Sequence, residues 1–290
     1  MRILITGGAG FIGSNLANEL SKEHQVVVID NLFLGSYDNL NANVIKITGD
    51  CGDNLFKKLP EKYDVIFHFG NYSSAPMYHT DTEQRISKTI SDFVHVLEFA
   101  AKNNAKLIYS STSSIYGPST YYTSVKECYE KLAKAYFNER KVNSVGFRLF
   151  SVYGPKEEYK KGYANMITQM AWKMLRGERP NNLFHEGKPT RDFVYVDDIV
   201  KSLITAMNEK NQGAFVHDVG TGKAYSFNEC IDLINKELKT DIKPIYKESI
   251  PNFVHDTLCK KSYIQPKIEL ESGVKKLIDY YKNKTNPCLQ

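Results

Sequence analysis

Through the first half of the chain, short apolar runs rich in β-branched residues alternate with longer stretches of helical periodicity. Strands are predicted near residues 2–6, 25–30, 44–48, 64–69, 105–111 and 144–150. Helices are predicted between them, over residues 11–23, 83–102 and 122–141. Runs such as Val26-Val27-Val28-Ile29 are apolar throughout, the pattern of strands whose two faces are both covered by helices. Strand–helix–strand alternation of this kind builds a parallel, doubly wound α/β sheet.

After Phe150 the rhythm changes. Gly154-Pro155 interrupts the chain, a charged loop follows, and residues 164–175 read as a helix. A turn is expected at Gly220-Thr221-Gly222. The expected division is a sheet domain over residues 1–150 and a smaller C-terminal lobe over 151–290, some of whose segments can return to the sheet. No internal repeat or low-complexity segment is present.

Composition narrows the class. The 290 residues are 42% hydrophobic and 24% charged, which excludes disordered, collagen-like and disulfide-scaffold chains. The net charge of +5 is spread thinly, in short runs such as Lys57-Lys58 and Lys260-Lys261. A nucleic-acid groove concentrates basic charge on one face, so no nucleic-acid partner is expected. Five cysteines (Cys51, Cys128, Cys230, Cys259 and Cys288) are odd in number and form no CxxC pair. They predict neither a metal site nor a disulfide framework, and fit the reduced thiols of a cytoplasmic protein. The apolar start is too short for a signal-peptide core, and no apolar run approaches about 18 residues, so no membrane partner is expected.

Candidate chemistry begins directly after the first strand. Thr6-Gly7-Gly8-Ala9-Gly10-Phe11-Ile12-Gly13 satisfies two overlapping glycine spacings, GxxGxxG from Gly7 and GxGxxG from Gly8. A chain that turns sharply, admits a pyrophosphate to its backbone and packs helix on strand needs residues without Cβ there. The helix N-terminus then offers N–H groups and the positive end of its dipole to the phosphates. Asp30 closes the second strand, where a carboxylate accepts hydrogen bonds from a ribose diol and repels a 2′-phosphate. Residues 31–36 contain no Arg or Lys, so NAD is favoured over NADP. Asn31 lies beside Asp30, and Asp50, after the third strand, is a candidate for the adenine.

Tyr122 and Lys126 stand four apart at the start of a helix, on one of its faces. The pattern YxxxK is weak by itself, because chance supplies about two matches in such a chain; there are three, at Tyr122, Tyr263 and Tyr280. Only Tyr122 follows a hydroxyl cluster, Ser110-Ser111-Thr112-Ser113-Ser114, at the C-terminal end of a sheet strand, where open α/β sheets bind ligands. A phenol must lose about three units of pKa to act as a base at neutral pH. A nearby ammonium is expected to supply about two of them, and an oxidised nicotinamide further positive charge.

Taken together, TGGAGFIG, VIDN, the run ending Tyr116-Gly117, YxxxK, Phe147-Arg148-Leu149-Phe150, Val152-Tyr153-Gly154-Pro155 and Arg191-Asp192-Phe193-Val194-Tyr195-Val196-Asp197-Asp198 resemble the extended short-chain dehydrogenase/reductase family, in its nucleotide-sugar epimerase branch. The resemblance implies a Rossmann domain, bound NAD(P), a nucleoside-diphosphate sugar held by the C-terminal lobe, and a homodimer. It places the catalytic hydroxyl on Thr112 and has Lys126 also bind the nicotinamide ribose. Within the branch, Gly154-Pro155-Lys156-Glu157-Glu158-Tyr159-Lys160 is similar to ADP-glycero-manno-heptose 6-epimerases, which points to Lys160 as a second acid/base. Ser73-Ser74 and Arg191-Asp192-Phe193 extend that match, with Arg191 expected on the diphosphate.

The sequence departs from the family at three places. The stretch from Tyr116-Gly117 to Tyr122 is short. Ser151 replaces the usual Asn near the diphosphate. Gly70-Asn71 replaces a small apolar pair. Ser113-Ser114 follow Thr112 where dehydratases carry an Asp-Glu pair, so dehydration lacks its acid and base. The expected activity is epimerisation by transient oxidation to a ketone and hydride return, at the 4-position of a UDP-hexose or the 6-position of an ADP-heptose. The rivals are a nucleotide-sugar reductase with net NAD(P) turnover and a non-catalytic NAD-binding module.

Overall fold

The computed structural model describes residues 1–59, 62–181, 183–248 and 254–284, so Cys288 lies outside the described residues. In chain order the strands are β1 (Arg2–Thr6), β2 (Gln25–Asp30), β3 (Ile45–Thr48), β4 (Val65–His68), β5 (Lys106–Thr112), β6 (Ser144–Leu149), β7 (Ser151–Tyr153), β8 (Leu183–Phe184), β9 (Thr190–Arg191), β10 (Phe193–Tyr195), β11 (Ala214–Val219), β12 (Tyr225–Ser226) and β13 (Tyr246–Lys247). The helices are α1 (Phe11–Leu20), α2 (Asp53–Phe56), α3 (Thr82–Asn103), α4 (Tyr121–Arg140), α5 (Met166–Leu175), α6 (Val196–Asn208), α7 (Phe227–Leu238) and α8 (Leu270–Lys282).

The chain forms two compact units. One combines Met1–Ile115, Ser119–Arg148 and Val200–His217; the other combines Tyr116–Pro118, Leu149–Ile199 and the chain from Asp218 onward. The main sheet runs in the order β11-β6-β5-β4-β1-β2-β3. β1 pairs in parallel with both β2 and β4, β2 with β3, and β4 with β5. The order switches direction at β1, and the crevice at the carboxyl ends of β1 and β4 is where such sheets take their ligands. The apolar runs are buried as expected: Ile3, Leu4 and Ile5 are fully enclosed, as are Ile66, Phe67, Leu107 and Ile108. β3 is an edge strand and is largely exposed.

Local chemistry sets the helix ends. α1 stops at Leu20, short of the predicted Glu23, because the amides of Glu23 and His24 fold back onto the Leu20 carbonyl. α4 begins one residue earlier than predicted. Thr120 and Thr123 form a capping box in which each hydroxyl accepts the other's backbone N–H. α5 begins at Met166, after Asn165, whose side chain accepts the Ile167 N–H.

The apolar stripe of α3 packs inside the chain. Phe93 and Leu97 are fully buried in the core, and Ile86 and Ile90 pack partly buried against it. Phe93 stacks on Tyr129 of α4 at 3.8 Å between ring centroids. In the other unit, β7 pairs in parallel with β10 and β9 antiparallel with β12. There Trp172 of α5 meets Tyr281 of α8 edge-on at 5.6 Å.

Phe93→Ala removes a ring that is 0% exposed. Stability should fall by about 3–5 kcal/mol, the usual range for deleting a core aromatic. Urea unfolding followed at the sheet unit should show a lower midpoint with an unchanged slope.

Candidate active site

The glycine turn is built around two close approaches. Gly7 has φ +67°, and a Cβ there would lie 2.5 Å from the Gly70 nitrogen. A Cβ on Gly13 would lie 2.3 Å from the Gly7 carbonyl oxygen. The turn is thus pressed against the end of β4 on one side and the first turn of α1 on the other. Gly10 is the N-cap of α1 and Phe11 is buried behind it. Asp30 is 8% exposed. It accepts the Ala9 N–H at 2.9 Å on Oδ2 and the Leu32 N–H at 2.8 Å on Oδ1. Burial raises its carboxyl above the ordinary value, against the pull of backbone donors at Leu32, Ala9 and Gly10. The acid predicted for a ribose therefore also ties β2 to the glycine turn, and a carboxylate retains acceptor capacity for both tasks. Asn31 is exposed and donates to Asp50 Oδ1 at 2.7 Å, and Asp50 also pairs with Lys88 at 3.1 Å. These residues fit a dinucleotide: the turn excludes Cβ, and a carboxylate with spare acceptor capacity closes β2 beside it.

Thr112 ends β5 and Tyr122 lies in the first turn of α4, where the Thr112 hydroxyl favours the ionised form of the phenol. Lys126, one turn on, is 1% exposed. Its Nζ donates to Ser110 O at 2.8 Å and Asn71 Oδ1 at 2.9 Å, with Ser110 Oγ at 3.4 Å. It lies 4.8 Å from the Tyr129 ring centroid and 6.0 Å from that of Tyr122. Every one of these neighbours is neutral, and burial pushes the ammonium down to about 7. Tyr122 corrects an expectation. Its phenol is not lowered in the chain by itself; burial raises it, and the Thr112 hydrogen bond only opposes that rise. Spacing showed the neighbouring cation but not the exclusion of solvent around the phenol.

The sequence reading passed over the support of this cluster. His68, the last residue of β4, is fully buried between the Thr6 hydroxyl at 2.8 Å and the Tyr129 hydroxyl at 3.3 Å. Burial, with a smaller push from Lys126, lowers it to about 3, so it is neutral. Glu130, one turn beyond Lys126 on α4, accepts the Ser111 hydroxyl at 2.6 Å and is held bidentately by Arg148 at 2.9 and 2.7 Å. That clamp fixes α4 against the ends of β5 and β6. Asn71 was visible only as a departure from the family. Ser73 is exposed, and its hydroxyl faces the Met77 sulfur.

In the other unit, Ser151 and Arg191 line one pocket of about 130 Å³ with Asn165, Phe184, Phe193 and Phe227. Arg191 donates to the carbonyls of Thr190, His255 and Val254 and stacks 5.4 Å from the Phe227 ring. Burial pushes its guanidinium down to about 10. Asp192, fully buried, gathers the backbone N–H groups of Thr221, Gly222 and Cys259. Lys160 is half-buried in a 3₁₀ turn, Glu158–Tyr163. Its backbone N–H donates to the carbonyl of Glu157, a fully buried acid that accepts the Asn165 N–H at 2.6 Å and donates its own N–H to the Tyr281 hydroxyl. Among the described residues no group of three or more His, Cys, Asp or Glu is placed to hold a metal, and no helix is long and apolar enough to cross a membrane.

The sequence profile of the NAD dependent epimerase/dehydratase family matches residues 3–220. The chain belongs to that family. NAD is the family's cofactor, in keeping with the acid at position 30. A UDP-N-acetyl-alpha-D-glucosaminuronate decarboxylase of Bacillus cytotoxicus is 29% identical over 98% of this chain and 99% of its own. Among solved structures, a UDP-N-acetylglucosamine 4-epimerase from Methanobrevibacter ruminantium superposes with a TM-score of 0.91 at 26% identity, over 97% of this chain and 98% of that one. The ADP-L-glycero-D-manno-heptose-6-epimerase of Helicobacter pylori gives 0.84 at 29% identity, over 98% and 96%. The family thus spans epimerases and decarboxylases of nucleotide sugars.

Glu157 gives the unit that carries Lys160 a pH dependence of known sign. Burial raises its carboxyl to about 7 from 4.5. Between those values the folded chain holds a proton that the unfolded chain releases, so stability is lost as pH rises through the window. The loss approaches about 3 kcal/mol. Relative to Glu157→Gln, wild type should lose about that much unfolding free energy between pH 5 and pH 8, as measured by denaturation of both proteins.

Proposed function

We propose that the chain is an NAD-dependent epimerase of a nucleoside-diphosphate sugar, acting through a transient ketone. The observation that carries this reading is the cluster at the end of β5: Thr112 at the strand end, the Tyr122 phenol at the start of α4, and Lys126 buried with its Nζ 6.0 Å from the Tyr122 ring. Bound NAD supplies the hydride acceptor and donor. Tyr122 takes the proton from the sugar hydroxyl on its phenolic oxygen and later returns it. Thr112 holds that sugar oxygen in line. Lys126 stabilises the phenolate electrostatically, an interaction strengthened by the scarcity of water around it. The burial that raises the free phenol also means that the full positive charge at this end of the sheet is needed before Tyr122 ionises.

On this reading the pocket lined by Ser151 and Arg191 takes part of the nucleoside diphosphate. Its phenylalanines suit a flat base, and a guanidinium held by three carbonyls presents a fixed positive edge to phosphate oxygens. Lys160 is proposed as the second acid/base that a 6-epimerase needs for the opposite face. Ser113 and Ser114, following Thr112, have no carboxyl to drive elimination of water.

A second reading, decarboxylation of a nucleotide uronate, is favoured by the 29% identical decarboxylase. It begins with the same oxidation and diverges when carbon dioxide leaves the ketone.

Tyr122→Phe should lower turnover at least a thousandfold, about 4 kcal/mol of transition-state stabilisation, while NAD binding stays within a few fold of wild type. NMR of products from UDP-hexoses, ADP-heptoses and UDP-uronates identifies the reaction. An epimer at equilibrium with its substrate supports the first reading, and a pentose product with released carbon dioxide supports the second. Undiminished turnover by Tyr122→Phe removes the phenol from the mechanism.

A further inference from the structure

Asn71, three residues after β4, has a side chain that is half committed. Its Oδ1 accepts a hydrogen bond from Lys126 Nζ at 2.9 Å. Its Nδ2 is buried and has no hydrogen-bond partner in the protein. The orientation of the amide is set by charge: an NH₂ group turned toward an ammonium would oppose donor to donor, so the oxygen faces Lys126 and the N–H groups face away. A buried amide left without an acceptor carries an uncompensated desolvation cost, which makes an acceptor supplied from outside the chain the natural completion of this site.

The position says which ligand. Asn71 follows Gly70, whose backbone is pressed against Gly7 of the glycine turn. A short backbone turn, with the Asn71 N–H on the Phe69 carbonyl at 2.9 Å, swings the side chain back toward α4. Asn71 therefore spans from the turn that approaches a pyrophosphate to the lysine that stands beside the reactive end. A small apolar residue, the more usual occupant, can do neither.

We propose that Asn71 is a cofactor-positioning residue, its carboxamide oxygen orienting Lys126 and its N–H donating to an acceptor oxygen of bound NAD. This rests on the reading of the glycine turn and Lys126 as the NAD site. It adds to that site a polar contact on the dinucleotide and an explanation of how a lysine without a carboxylate partner keeps its ammonium in register. The side chain does not react.

Two variants separate its halves. Asn71→Ala removes both acceptor and donor. Asn71→Asp, nearly isosteric, keeps an acceptor for Lys126 and removes the donor. Calorimetric titration with NAD alone, without sugar, should give dissociation constants about tenfold weaker for both, the order expected of one buried hydrogen bond. The Lys126 titration, followed by NMR of ¹³Cε-labelled lysine with its resonance assigned by loss in Lys126→Met, should move in opposite directions. It should fall below that of wild type in Asn71→Ala, which loses an oxygen that favours the charged form, and rise in Asn71→Asp. A packing role alone would lower the melting temperature and move neither titration in this signed manner. If Asn71→Ala does not fold, Asn71→Asp decides. Variants that bind NAD like wild type, with an unmoved Lys126 titration, overturn the assignment while leaving the epimerase reading standing. A wild-type chain that binds no NAD overturns both.

Discussion

A methyl group on Gly7 would lie 2.5 Å from the Gly70 nitrogen, and that missing methyl governs the geometry of the sheet unit. It lets the turn after β1 touch the backbone that leaves β4, closing the floor of the crevice where the strand order changes direction. From that contact the chain continues into Asn71, which reaches Lys126. Lys126 in turn rests on the carbonyl of Ser110, two residues before Thr112. Glycine turn, buried cation and hydroxyl cluster are thus connected by backbone proximity. A side chain at position 7 would separate them all.

The cation is housed without a counter-charge. Three oxygens and an aromatic face surround Lys126, and its neighbour His68 is held neutral by the same dry surroundings. Such a shell leaves the ammonium weakly compensated, and its influence on the adjoining phenol correspondingly long in reach. The charged pair of the region, Glu130 with Arg148, stands on the far side of Ser111, where it fastens α4 to the strand ends.

Much of this was legible in the residues. β1 and β2 fall on the predicted boundaries, because β-branched runs between glycine and polar turns leave few alternatives. Tyr122 was distinguished from Tyr263 and Tyr280 by its place after a strand end, which a pattern of letters alone does not supply. At Tyr122 spacing reveals a neighbouring charge but not how far solvent is excluded from the phenol. Asn71 and Glu130 escaped for a related reason: their partners lie 55 and 18 or 19 residues away, across folded contacts. Arg191 was expected on the diphosphate, and what the sequence could not show is that its guanidinium is braced by the carbonyls at 190, 254 and 255.

The seventh strand of the sheet, β11, is drawn from residues 214–219, although its neighbour β6 ends at Leu149. A nascent polypeptide that has left the ribosome only as far as Leu149 therefore carries six of the seven strands and an open hydrogen-bonding edge on β6. That edge belongs to a strand whose first four residues are buried in the finished protein, so it is a template for pairing with another chain. Synthesis must run on for about 65 residues, several seconds at ordinary elongation rates, before the capping strand emerges. The interval is a built-in window of aggregation hazard, and slow translation through it would lengthen the exposure.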